Sequence, residues 1–337
     1  MWRSLVSRLV RDQEAMGSSP VTPTKNPIRV SGWDFYFYLY HFIFSLVIVY
    51  KKLLIILSFT IQYVILILSI CFNSSKGDFL IMKPVIINKD KCIGCGKCIR
   101  DCVSEKLKLI DGKAEFMYER CIQCGHCFAI CPVNAVTMTN YGEVAEENPV
   151  SMEDFDPDML LQAMKSRRTI RQFKDQKISD DIVEKIIEAG RYCPTGTNAQ
   201  DFSFTVIKDD LEFFENESVK LFRNVQKIGG SLVTYIKNTT IDDNFFFKKA
   251  PLVIVVNGKG KTSPCLASSY MELMAESLGL GVLYSGFFIA CTKLSKKISK
   301  ALNTPEGHTP VTCLVIGYPD VKYERIPPRE KAKINYL

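Results

Sequence analysis

Eight cysteines between positions 92 and 131 constrain this chain more than any other feature. They form two runs, CIGCGKCIRDC and CIQCGHCFAIC, each spaced C-x2-C-x2-C-x3-C. Cys92, Cys95, Cys98 and Cys102 make the first run, and Cys121, Cys124, Cys127 and Cys131 the second. The runs are near-copies, so the segment is an internal repeat of a short unit. Units this small bury too little apolar surface to fold on a hydrophobic core alone. The thiols must supply part of the framework.

The spacing resembles that of bacterial two-cluster ferredoxins. Two residues between cysteines place three thiolates on one tight loop around a single cubane. The fourth cysteine of each run serves the other cluster. One [4Fe-4S] cluster is therefore expected on Cys92, Cys95, Cys98 and Cys131, the other on Cys121, Cys124, Cys127 and Cys102. Zinc sites use paired knuckles rather than two runs of four. Disulfides would require an oxidising compartment that nothing else in the chain suggests. Gly94, Gly96 and Gly125 suit a backbone that wraps a cluster at positive φ. Pro132 follows the second run, but Val103 stands where the first would carry proline, and that turn has no explanation in the sequence.

The chain has 337 residues, room for two or three domains. Of its net charge of +7, more than half sits in residues 1–81, where eight Lys/Arg face four acids. The remainder is too nearly neutral for a nucleic-acid partner. The other cysteines are scattered, as single thiols in a reducing cytosol are.

Leu53 to Phe72 is an uncharged stretch long enough to span a bilayer. Read as an anchor, it places the positive residues on the N-terminal side and sends the cysteine runs out of the cytoplasm. Residues 35–72 also have the composition of translated A/T-rich noncoding DNA. Lys76-Gly77-Asp78 can encode a ribosome-binding sequence just before Met82. The expectation is a cytoplasmic protein whose natural start is Met82, membrane-anchored only if residues 1–81 are translated. The domains expected from there are a ferredoxin-type unit at 82–140, a linker at 141–156 and a larger domain at 157–337.

In that larger domain, Asp156-Pro157 reads as a helix start. SRRTIRQF follows, with Arg167, Arg168 and Arg171 in five positions; taken alone this reads as a solvated basic loop, and an anion among the three guanidiniums would make it a phosphate site. Ser179 is expected to cap a helix to about Tyr192, which ends in the polar loop CPTGTNAQ. Phe204–Ile207 and Pro251–Val256 read as strands, and a helix is expected from about Ser263 to Leu278. Lys293, Lys296, Lys297 and Lys300 are placed on one short helix.

The RR-T-x-R-x-F segment, the P-T-G-x-N-x-Q loop, LGLGVLYSGFF and VTCLVIGYP stand in the order found in nitroreductase-family FMN enzymes, which residues 157 to about 330 resemble. The resemblance implies an α+β sandwich that dimerises with itself, FMN lying at the interface. It implies that Arg167, Arg168, Thr169 and Arg171 hold the phosphate and ribityl chain, with Arg329 as a further phosphate ligand. It implies that Thr195, Gly196 and Asn198 line the isoalloxazine, and that Tyr284, Ser285 and Gly286 bring backbone donors to its N5 side. The loop departs from the pattern at Gln200-Asp201, where Gln-Pro is usual.

No side chain is expected to act as a catalytic acid or nucleophile, because the chemistry belongs to the cofactors. Electrons are expected to run through the two [4Fe-4S] clusters to FMN and on to a nitroaromatic, a quinone or a similar electron-poor small molecule. The donor is either a redox protein or NAD(P)H bound over the flavin. The competing reading is an electron-carrier subunit whose flavin domain serves mainly for dimerisation.

Overall fold

The computed structural model describes residues 83–117, 121–142, 146, 150–228 and 239–337. The chain divides into two compact units between Ile81 and Met82. The expected span at 53–72 and the start at Met82 lie outside the described residues. Among the described residues no helix is long and apolar enough to cross a membrane.

The cysteine-rich segment is closed by pairing its two ends. β1 (Val85–Ile87) lies antiparallel to β4 (Val136–Met138). Between them, β2 (Leu107–Ile110) and β3 (Lys113–Phe116) form a hairpin whose Asp111-Gly112 turn has φ of 51° and 73°. Two positive-φ residues suit the twist of a two-residue hairpin, which is why Asp-Gly stands there. Each cysteine run continues into a one-turn helix, α1 (Lys97–Arg100) and α2 (His126–Ala129). Both start on a left-handed glycine, Gly96 at φ 69° and Gly125 at φ 76°. The small core gathers Val85, Leu107, Ala114, Phe116, Ala135 and Val136 around the cysteines.

The larger domain opens with α3 (Pro157–Ser166), whose Asp156 cap accepts hydrogen bonds from the Asp158 and Met159 N–H groups. α4 (Asp180–Arg191) begins after Ser179, but the serine side chain makes no capping hydrogen bond. Asp180 and Asp181 in the first turn answer the helix dipole instead. Then follow β5 (Phe202–Ile207), α5 (Leu211–Ile228), β6 (Leu252–Gly258), α6 (Thr262–Ser277), β7 (Gly281–Tyr284), α7 (Gly286–Leu294), α8 (Lys296–Ala301) and β8 (Thr309–Gly317). The four lysines expected on one helix are split at Ser295, whose hydroxyl caps α8 through the Ile298 N–H. Lys293 falls on α7, and Lys297 pairs with Glu217 of α5 at 2.9 Å.

The sheet runs β5-β6-β8-β7, antiparallel throughout. Its central strands carry unbroken apolar stretches, Leu252–Val256 of β6 and Cys313–Ile316 of β8, as a sheet covered on both faces requires. Leu252, Ile254 and Val256 of β6 pack with Val183 and Ile186 of α4 and Ala267, Met271 and Ala275 of α6. Val253 and Val255 face Phe214, Val219 and Phe222 of α5 and Phe288 of α7. Burying each such side chain contributes about 1.5–3 kcal/mol. Gly190 lets α4 approach α6, since a Cβ there would lie 2.8 Å from the Met271 side chain. The architecture is α+β, a helix-covered antiparallel sheet preceded by the small cysteine-bearing unit.

Candidate functional site

The turns of the cysteine-bearing segment bring its cysteines together as two sets of four. Cys92, Cys95, Cys98 and Cys131 line one hollow, and Cys102, Cys121, Cys124 and Cys127 line the other. Each set takes its fourth member from the opposite run. Backbone N–H groups point at sulfur, among them Ala114 at Cys92 (3.4 Å), Lys106 at Cys102, Gln123 at Cys121 and Ala135 at Cys131 (each 3.3 Å).

The Lys106–Cys102 and Ala135–Cys131 bonds occupy the same place in the two repeats. The turn after Cys102 therefore closes as its partner does, with Val103 in place of proline and 83% exposed. Gly94 has no freedom, because a Cβ there would stand 2.1 Å from the Gly112 carbonyl. Its repeat equivalent, Gln123, takes the same left-handed region at φ 53°.

The Ala114 hydrogen bond, foremost, draws the Cys92 thiol down. Burial first, then the neighbouring Cys131, Cys92 and Cys95, push Cys98 up. Burial and the Cys121 charge push Cys127 up to about 11. Converging thiolates repel, and a cationic iron–sulfur centre is what such a donor set fits. No three His, Cys, Asp or Glu side chains among the described residues are placed to hold a single ion; the sulfurs frame hollows rather than a point. His126 Nδ1 lies 3.1 Å from Asp101 Oδ2 and ties the two repeats together. His308 lies in the larger domain, 2.9 Å from the Ser203 hydroxyl.

The residues expected to hold FMN fall into three groups. The first lies beside the middle of α6. Arg167 reaches Glu272 at 2.8 Å, and Tyr284 donates to the Ser268 carbonyl at 3.0 Å and lies 3.4 Å from Glu272. Thr169 bridges to Val282 of β7. Arg168 is half-buried, and its Nη2 has no hydrogen-bond partner. An orphaned guanidinium nitrogen is the kind of donor an anion satisfies.

Glu276, one helical turn beyond Glu272, is pushed up to about 7 by burial first and by Glu272 next. Arg167 thus already faces an acidic pair, which the sequence reading did not anticipate. Two glutamates four apart on a largely apolar helix were the available signal. Ser285 is buried with its N–H engaged by the Cys313 carbonyl at 2.9 Å. The donors left at that corner are those of the first turn of α7, from Gly286 onward. The second group, Arg171 and Arg329, is exposed.

The third group, the 195–200 loop, lies near the other end of α6, where the Cys193 thiol meets the Ser263 carbonyl at 3.8 Å. That is roughly 14 Å along the helix from Glu272, at 1.5 Å per residue. Thr197, Asn198 and Gln200 all have positive φ, at 52°, 54° and 46°. The Thr195 hydroxyl accepts from the Gln200 N–H at 3.1 Å. Asn198 Nδ2 donates to the carbonyls of Gln123 (2.9 Å) and Ile122 (3.2 Å), inside the second cysteine run. The Tyr141 hydroxyl joins them, donating to Gln123 O at 2.8 Å and lying 3.1 Å from Asn198 Nδ2 and 3.3 Å from Gln200 Nε2. Tyr141 falls in the expected linker and carried no signal of this contact.

Residues 164–318 match the Nitroreductase family model, and residues 84–132 match a 4Fe-4S dicluster domain model. Among curated proteins, the chain is similar to an NADPH-dependent oxidoreductase of Staphylococcus haemolyticus, at 23% identity over 176 residues, covering 48% of this chain. The match spans 65% of that relative's length, less than two thirds. An iodotyrosine deiodinase of Thermotoga neapolitana is 26% identical over 185 residues, 51% of this chain and 95% of its own. Among solved structures, a nitroreductase with bound FMN from Bacteroides fragilis aligns with a TM-score of 0.45 at 21% identity, over 53% of this chain and 98% of its own.

Proposed function

We propose that this chain, a nitroreductase-family domain preceded by a 4Fe-4S dicluster domain, is an oxidoreductase that passes electrons through two [4Fe-4S] clusters to FMN and on to an electron-poor small molecule, such as a nitroaromatic or a quinone. The observation that carries the reading is the grouping of eight cysteines into two four-thiol hollows within the same compact unit as the nitroreductase-family domain. When bound, the clusters supply single electrons and FMN joins them into a two-electron reduction.

The chain's own residues bind and orient. Arg168, with its unpartnered Nη2, and the exposed Arg171 and Arg329 hold the phosphate. Arg167 keeps Glu272 in place beside it, and Thr169 and Tyr284 form the wall next to them. Gly286 offers the N–H groups of the first turn of α7 towards the ring, while Thr195, Gly196 and Asn198 shape the far loop.

A second copy of the chain completes the site in this reading. Met159, Leu161 and Met164 are exposed on α3. Residues 321–337 run without helix or strand, with Ile326, Ile334 and Tyr336 exposed. Pairing would cover these apolar groups.

The test is anaerobic turnover after loading with iron, sulfide and FMN. Nitrobenzene and a benzoquinone are offered with a reduced low-potential ferredoxin as donor and, separately, with NADPH. Reduction of either acceptor with either donor supports the proposal. Protein that holds both cofactors and reduces neither acceptor with either donor overturns it.

A further inference from the structure

The Ile122–Gln123 peptide is hydrogen-bonded at both of its ends. Its carbonyl accepts from Asn198 Nδ2 at 3.2 Å, and its N–H donates to Cys121 Sγ at 3.3 Å. One planar amide therefore lies between a side chain of the flavin-type domain and a sulfur of the second cysteine run. The next carbonyl, Gln123 O, is held by Asn198 (2.9 Å) and by Tyr141 (2.8 Å). Gln123, Thr197, Asn198 and Gln200 all hold left-handed backbone conformations, so both sides of the contact are strained. By contrast, hydrogen bonds recorded at the first hollow stay inside the cysteine-bearing unit: Lys113 Nζ to Cys92 O, Arg100 Nη1 to Cys95 O and Ala135 N to Cys131 Sγ.

Resting on the function proposed above, we infer that Asn198 and Tyr141 are positioning residues for the cluster held by Cys102, Cys121, Cys124 and Cys127. This is the flavin-facing cluster, and Asn198 tunes its reduction potential through the Ile122–Gln123 amide.

The physical argument is polarisation. A donor on an amide carbonyl strengthens the N–H of the same amide as a donor. Hydrogen bonds to the sulfurs of a cluster help set its potential. They stabilise the reduced, more negative state, so they raise that potential. Asn198 thus makes the flavin-facing cluster easier to reduce than it would be without the contact, while the cluster at Cys92 is untouched. Each passage to the flavin oxidises this cluster by one electron. Two passages deliver the electron pair, solvent supplies the protons, and a low-potential one-electron donor refills the clusters.

The test is anaerobic potentiometry of the full-length holoprotein followed by electron paramagnetic resonance. The variants are Asn198→Ala and the milder Tyr141→Phe. The two cluster signals are assigned with Cys95→Ser and Cys124→Ser, each of which alters one set. Iron and FMN contents are measured alongside, and the potentials are repeated on FMN-free protein. The expected result is that Asn198→Ala moves the midpoint of the Cys124-containing cluster to more negative values with the other midpoint unchanged. Tyr141→Phe should move the same cluster in the same direction by less. A shift confined to the Cys95-containing cluster, equal shifts in both, or no shift in either would overturn the inference. Wild-type protein that takes up no clusters would instead remove the underlying functional reading.

Discussion

The Arg167 guanidinium lies 2.8 Å from the Glu272 carboxylate, with 25% of the arginine side chain and 11% of the glutamate side chain exposed. The pair separates two roles that three neighbouring arginines would otherwise share. Arg167 compensates an acid on α6, and Arg168, next in sequence, keeps a buried donor without a partner.

Arg168→Met and Arg167→Met should therefore fail differently. Losing a charged donor to phosphate costs about 1.5–3 kcal/mol, so Arg168→Met should weaken FMN binding roughly tenfold or more, while the FMN-free protein loses only the Nη1 bonds to the Lys165 and Arg167 carbonyls and should be destabilised less than by Arg167→Met. Arg167→Met leaves Glu272 without its cation and should lower stability by about 1–3 kcal/mol, even without FMN. Flavin fluorescence titration and thermal melts of the FMN-free variants distinguish the two.

Crossed ligation predicts the outcome at Cys131. It belongs to the second run in sequence but to the first hollow in space. Cys131→Ala should remove about half of the iron and erase the signal that Cys95→Ser alters, leaving the one that Cys124→Ser alters. Iron analysis with resonance spectra of the reduced protein checks this.

Gly94 and Gln123 are equivalent in the repeat and should respond in opposite ways. Gly94→Ala sets a Cβ 2.1 Å from the Gly112 carbonyl and should prevent cluster uptake. Gln123→Gly relieves a left-handed residue at φ 53°, which costs an L-residue roughly 1–2 kcal/mol, and should retain both clusters. Cluster absorbance after reconstitution reports both.

Glu215 supplies a pH dependence. It is buried and accepts the N–H groups of Phe246 and Phe247 at 2.8 and 2.7 Å. Burial outweighs those bonds and pushes its carboxyl from the ordinary 4.5 to about 7. The folded state then binds this proton more tightly than the unfolded state does. Its stabilising contribution is full below pH 4.5 and declines as pH rises towards 7. Melting temperature should fall over that interval, and Glu215→Gln should flatten the slope.

Much of the framework was legible from residue patterns, and the reasons are local. The cysteine spacing contained the two sets, because the ferredoxin pattern it resembles passes the fourth cysteine of each run to the other set. β6 stood out as an apolar run, and β8 through the resemblance of VTCLVIGYP to a core strand. The Asp156-Pro157 start needed only its own neighbours. α5 escaped notice because its phenylalanines alternate with acids and lysines and are sorted into faces only once it packs on the sheet. β7 was hidden inside a glycine-rich stretch that reads as a turn.

The junction could not be read at all. Asn198 and Ile122 are 76 positions apart, and neither residue type signals the other. The flavin resemblance gives Asn198 a place beside the ring; in the structure its Nδ2 donates to the Ile122 and Gln123 carbonyls of the second cysteine run. Val103, unexplained in the sequence, proves to be a solvent-facing residue in a turn that the Cys102–Lys106 bond closes.

The most direct test of the central claim is a rapid-mixing experiment on the doubly loaded protein without oxygen. Dithionite is added in amounts that reduce the clusters first, and cluster and flavin absorbance are followed together, with nitrobenzene supplied in a second mix. The account predicts that flavin absorbance falls as the clusters reoxidise and returns when nitrobenzene arrives. Clusters that stay reduced beside an oxidised flavin, with or without nitrobenzene, would contradict it.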